Sequence, residues 1–120
     1  VMAAMEACND AAVGALKPGA RCQDVNDAAL DALKAADLGD TIRHRIGHGM
    51  GLEGHEAPWL APGDMTEIVS GMVFSNEPGV YRPGRDGYRT INTMLVGDPG
   101  VDIPSRFLAD TPIDQRVIAL

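Results

Sequence analysis

The stretch from Arg43 to Pro58, RHRIGHGMGLEGHEAP, limits what this 120-residue chain can fold into more than any other. It holds all three histidines of the protein, His44, His48 and His55, interleaved with Gly47, Gly49, Gly51 and Gly54. Two histidines four apart would suit the one-turn helical pair of a zinc protease. Each glycine inside a helix, however, costs about 1 kcal/mol relative to alanine, and this many argue strongly against one. A strand followed by a tight loop fits better. Alternation then places His44, Ile46, His48, Met50 and Leu52 on one face, with Gly47, Gly49 and Gly51 on the other. Residues four apart on a strand are separated by roughly 13 Å, so His44 and His48 line one pocket without gripping the same ion. The glycine face lets another backbone or a ligand come close.

Composition narrows the function. A formal net charge of −7 argues against a nucleic-acid partner, whose phosphates demand clustered Lys and Arg. No basic amphipathic segment, apolar run of transmembrane length or signal peptide is present, so no membrane partner is expected. Cys8 and Cys22 have no metal-type spacing and no evident reason to pair, which makes a reducing cytoplasm the default location. The length suits one modest domain whose core rests on Leu, Val, Ile, Met and Ala.

Along the chain, the Ala-rich run Val1–Leu16 predicts a helix, stopped by Lys17-Pro18-Gly19. It opens without a cap residue, which fits either a frayed terminus or a piece of something longer. A second helix is predicted from Cys22 to Leu38, with Val25, Ala28, Ala29, Ala32, Leu33 and Ala36 as its buried stripe and Gly39 as its stop. Trp59 to Asp64 is a turn-rich connector. A strand from Met72 to Glu77 ends at Pro78-Gly79, Arg82 to Gly87 forms a hairpin-type loop, and Tyr88 to Val96 returns as a strand. Val101 to Leu120 is a tail of mixed charge with no legible function. Two helices followed by antiparallel strands make the chain α+β.

With these pieces placed, HRIGHGMGLEGHEAP at 44–58, SGMVFSNEPGVYRPG at 70–84 and GYRTINTMLV at 87–96 carry a resemblance to the pita-bread family. That family comprises methionine aminopeptidase, aminopeptidase P, prolidase and the metal-free creatinase. The resemblance covers roughly residues 1–100 and lies closer to the Xaa-Pro peptidase and creatinase branches. It implies that residues 1–120 are the C-terminal portion of a pita-bread catalytic domain whose upstream half lies outside this sequence. In peptidase members five side chains hold two divalent metals. The resemblance makes His48 and Glu77 two of these ligands, so their side chains should converge on one concave face. It also makes His44 and His55 catalytic, moving protons or positioning substrate, and adds Arg89 to the substrate-binding set. Imidazole and carboxylate suit Mn, Co, Zn or Fe.

The sequence departs from the family pattern at one ligand. Metal-dependent members end the returning strand Arg-Ile-Glu-Asp, with the Glu bridging the metals; here the match is Arg89-Thr90-Ile91-Asn92, and Ile91 cannot ligate. The two aspartate ligands of the family precede its first matched helix. The intact parent is therefore expected to hold at most one divalent ion, or none. Three readings follow: a hydrolase of a small C–N substrate, Xaa-Pro peptidase-like and acting on short peptides; a metal-independent, creatinase-like amidinohydrolase; or a catalytically dead binding module. The 120-residue chain alone is expected to be inactive, and apolar surface left by the missing half to drive homo-oligomerisation.

Overall fold

The computed structural model describes residues 1–116, so the last four residues of the 101–120 tail lie outside the described residues. Helix α1 spans Met2–Ala15 and buries Met5, Cys8, Asn9 and Ala12, one stripe at three- and four-residue spacing. Helix α2, Cys22–Ala35, packs against it through Cys22, Val25, Asn26, Ala29 and Leu33. Asp24 accepts the Arg21 N–H at 3.3 Å and closes the N-terminal end of α2. The other end lies three residues short of Leu38. Asp37 adopts a left-handed φ of 58°, which turns the chain off the helix axis before Gly39 is reached. Ala36 is consequently exposed, and Gly39 opens a short 3-10 turn, Gly39–Thr41.

Among the described residues seven strands follow: β1 Gly47–Gly49, β2 Glu56–Leu60, β3 Val73–Asn76, β4 Gly79–Arg82, β5 Asp86–Arg89, β6 Asn92–Gly97 and β7 Gly100–Asp102. Five form an antiparallel sheet in the order β2-β1-β3-β6-β7, and β4 and β5 form a separate hairpin. The α+β arrangement agrees with the sequence reading, but several strand limits do not. The histidine strand is only three residues long, and Leu52, placed on its inner face by alternation, is fully exposed. Trp59 and Leu60 lie in a strand, not a connector. Pro58 is tolerated there because β2 is an edge strand, where a missing N–H costs no ladder bond. The returning strand is broken at Thr90 and Ile91 into β5 and β6, and the tail begins by pairing β7 with β6.

The glycine face behaves as the alternation implies. A Cβ on Gly47 would lie 1.9 Å from the Ser75 carbonyl oxygen, and one on Gly49 would lie 2.8 Å from the Glu56 carbonyl oxygen. These two glycines let β1 press between its neighbours. The core is Phe74, Leu60, Ile68, Val80 and Met94 under the two helices. A polar thread runs through it: Asn76 Nδ2 donates to Asn9 Oδ1 at 3.0 Å, and Asn9 Nδ2 donates to Thr90 Oγ1 at 2.9 Å. Asn26 Oδ1 accepts the Ile46 N–H at 3.3 Å and tethers the approach to β1 to α2.

Cys8 and Cys22 are unpaired and wholly buried. Burial pushes the Cys8 thiol up to about 12; burial and then the Asp64 charge push Cys22 up to about 11. Both thiols are expected to ignore dithionitrobenzoate at pH 8 in the native chain and to react stoichiometrically in denaturant. Labelling of the native chain at the rate of a free thiol would contradict this packing.

Candidate functional site

His48 is placed by β1 and is almost completely buried. Its Nδ1 donates to the Gly49 carbonyl at 2.9 Å, which fixes the ring and turns the Nε2 lone pair outward. Nε2 stands 2.8 Å from Glu77 Oε1. In that tautomer both atoms are acceptors, so the geometry calls for a proton or a cation between them. Glu77 follows β3 immediately, and its N–H is held by the Ile46 carbonyl at 2.7 Å. Ser75 joins the pair: its hydroxyl accepts the His48 N–H at 3.1 Å and donates to Glu77 Oε1 at 3.3 Å. Ser75 had no role in the sequence reading, although its parity with Glu77 on one strand face was visible.

His55, exposed at the entry to β2, brings its ring centroid to 4.0 Å from that of His48. One ligand-type atom from each of His48, His55 and Glu77 lies within 4.8 Å of the others. His48 and Glu77 thus converge as the resemblance implied. His55 brings a ring nitrogen into the same cluster. His44 is placed differently: its Nδ1 lies 2.7 Å from the Arg45 carbonyl and its Nε2 2.9 Å from the Tyr81 hydroxyl on β4. It is not one of the three clustered groups.

Arg89 stands at the end of β5 and gives its guanidinium to Glu77 Oε2 at 2.5 Å. Its expected substrate thus competes with a protein carboxylate for the same donors. Ile91, two residues on, is 53% exposed and offers no donor atom. The described residues therefore suit a single divalent ion, with two imidazoles and one carboxylate on one side of it. Among the described residues no second carboxylate joins this cluster, and Glu77 is also paired with Arg89.

Residues 1–98 match the metallopeptidase family M24. The chain belongs to that family. Among curated proteins, this M24 chain is 43% identical over 90 residues to a probable dipeptidase PepE of Mycobacterium bovis, covering 75% of the chain and 24% of the relative. It is 39% identical over 89 residues to a Xaa-Pro dipeptidase of Pyrococcus furiosus, covering 74% and 26%. Among solved structures, the prolidase from Pyrococcus furiosus superposes with a TM-score of 0.83 at 34% identity, over 86% of this chain and 31% of that one. The dipeptidase PepE from Mycobacterium ulcerans superposes at 0.82 with 40% identity, over 85% and 28%. The M24 chain spans about a quarter of the length of the curated relatives it matches. Its fold is the corresponding portion of the pita-bread peptidase fold. No helix of the described residues is long and apolar enough to cross a membrane.

Proposed function

We propose that this chain supplies the imidazole and carboxylate half of the catalytic site of a peptidase acting on short peptides, of Xaa-Pro dipeptidase type. The observation that carries the reading is the convergence of His48, His55 and Glu77 within 4.8 Å, in a chain of a metallopeptidase family. In this reading His48 and Glu77 are metal ligands, with His55 as a third ligand or as the acid/base beside them. A divalent ion bound there would polarise the scissile carbonyl and acidify a bound water. Ser75 and the Gly49 carbonyl hold Glu77 and His48 at fixed angles, so neither side chain must reorganise when substrate arrives. His55, being exposed, can reach an amide nitrogen and deliver a proton to it. His44 is poised by Tyr81 and the Arg45 carbonyl to position substrate. Exposed Leu52 and Phe107 support self-association as part of the same reading.

A second reading, metal-independent hydrolysis of a small C–N substrate, is favoured by one observation: Arg89 already occupies the cationic position at Glu77. Hydrolysis of Xaa-Pro dipeptides by a longer protein carrying this chain separates the two. Turnover should fall about a hundredfold or more in His48→Ala, and removal of metal by a chelator should abolish it reversibly. Turnover indifferent to chelator would favour the second reading, and the absence of any turnover would leave a binding module.

A further inference from the structure

Helix α1 reaches the site from behind, through one side chain. Glu77 and Arg89 meet at 2.5 Å across a gap in the strand ladder. On one side of the gap β3 and β6 end their pairing at Asn76 and Asn92; on the other, β4 and β5 begin theirs at Gly79 and Arg89. Pro78 lies in the gap and has no N–H to donate. The backbone bond that crosses it, from the Thr90 N–H to the Pro78 carbonyl, is long at 3.4 Å. The ladder therefore does little to fix the segment that carries Glu77 against the one that carries Arg89.

Asn9 spans that gap from the opposite face. Successive residues of an extended chain point to opposite sides. Glu77 and Arg89 turn towards the histidine cluster, and their neighbours Asn76 and Thr90 turn towards α1. The Asn9 side chain is buried and makes one bond to each neighbour: Oδ1 accepts from Asn76 Nδ2 at 3.0 Å, and Nδ2 donates to Thr90 Oγ1 at 2.9 Å. A carboxamide carries its acceptor and its donor on one rigid plane, so the two bonds together set the spacing of the two segments. Among the described residues Asn76 Oδ1 is buried without a partner, and the bond to Asn9 is the polar hold on the Asn76 side chain. Breaking that bond would leave a buried polar group unsatisfied, which makes the tie costly to open.

We propose that Asn9 and Thr90 are positioning residues for the site: they clamp the two backbones on either side of the gap and so hold Arg89 against Glu77 Oε2. Glu77 Oε1 is thereby left to His48 and Ser75. What the clamp does for a substrate rests on the peptidase reading; the clamp itself does not. In that reading it decides which oxygen of Glu77 is turned to the histidines, and it does so from a helix that touches none of the three clustered groups through this side chain. Neither Asn9 nor Thr90 had a role in the sequence reading.

The test follows the guanidinium protons of the full 120-residue chain by NMR at low temperature, with the Arg89 signals assigned by their loss in Arg89→Lys. Thr90→Val keeps the shape of the side chain and removes the acceptor, whereas Asn9→Leu removes both bonds. Exchange of the Arg89 protons with solvent is expected to quicken about tenfold in either variant, the scale of one lost hydrogen bond, and Thr90→Ser to restore the original rate. Arg82, paired with Asp86 in the β4–β5 hairpin, is the internal control and should exchange at an unchanged rate. General loosening of the fold would quicken both arginines; loss of positioning quickens Arg89 alone. Should Asn9→Leu fail to fold, Thr90→Val decides by itself. Unchanged Arg89 exchange in Thr90→Val, equal acceleration of Arg82, or no recovery in Thr90→Ser would overturn the proposal. Because no peptide is present in this measurement, failure of peptide hydrolysis elsewhere would sink the peptidase reading and leave the clamp standing.

Discussion

Gly47→Ala is expected to destabilise the chain by at least about 3 kcal/mol, the upper end of what overpacking costs. The methyl would stand 1.9 Å from the Ser75 carbonyl oxygen and 3.3 Å from a Leu60 methyl. The nearest atom is backbone, so no rotamer change relieves the contact, and β1 must move away from β3 by more than 1 Å (roughly the shortfall from a normal van der Waals contact). Single domains hold only about 5–15 kcal/mol in reserve. The same movement would pull Ser75 Oγ from the His48 N–H and widen the His48–Glu77 pair, so damage to the site should accompany damage to the fold. Gly14→Ala serves as the control. It lies inside α1 with nothing within 4 Å of an added Cβ, and removing its backbone freedom should stabilise the helix by up to about 1 kcal/mol. Urea denaturation followed by Trp59 fluorescence reads both. A Gly47→Ala midpoint equal to that of the unaltered chain would mean that β1 and β3 are not so closely pressed.

The contrast between these glycines shows what a sequence reveals here and what it hides. Gly47 stood out because alternation in a histidine-bearing run put several glycines on one face, and a glycine face has meaning only against a neighbouring backbone. The two helices were legible for a similar reason: apolar residues recur at helical spacing, and Lys17-Pro18-Gly19 separates them. Helix α2 nevertheless ended early, because Asp37, which gives no strong stop signal, took the left-handed conformation that Gly39 had seemed placed to supply. Strand β2 was hidden by Pro58, whose cost vanishes only at a sheet edge, and the edge is a property of topology. The buried Asn9, Asn26 and Asn76 were illegible for a deeper reason. Asparagine is ordinarily a surface residue, and each of these is kept inside by a partner far away in sequence. The site divides along the same line. His48 and Glu77 were legible from local motifs, whereas the pairing of Arg89 with Glu77 depends on how the β4–β5 hairpin folds back.

That pairing sets the second large effect, on metal content. A longer protein carrying this chain is expected to hold at most one divalent ion per chain, and Ile91→Glu together with Asn92→Asp to raise the content towards two. Glu77 is the carboxylate of the three-residue cluster and is already paired with Arg89 at 2.5 Å, so among the described residues a second ion finds no further carboxylate in the cluster. The returning segment is also inverted in polarity. Thr90 turns inward to accept from Asn9, while Ile91 faces outward at 53% exposure. An exposed position accepts a carboxylate at little cost in stability, so the double variant should fold, with Thr90 and its bond to Asn9 untouched. The added carboxylates would stand two and three residues beyond Arg89, giving that guanidinium an alternative partner and freeing Glu77 for a ion. Elemental analysis after exhaustive dialysis decides the matter, with circular dichroism to confirm that both proteins are folded. Two tightly held ions in the unaltered protein would show that Ile91 does not empty the second position and that Arg89 yields Glu77 to metal without help.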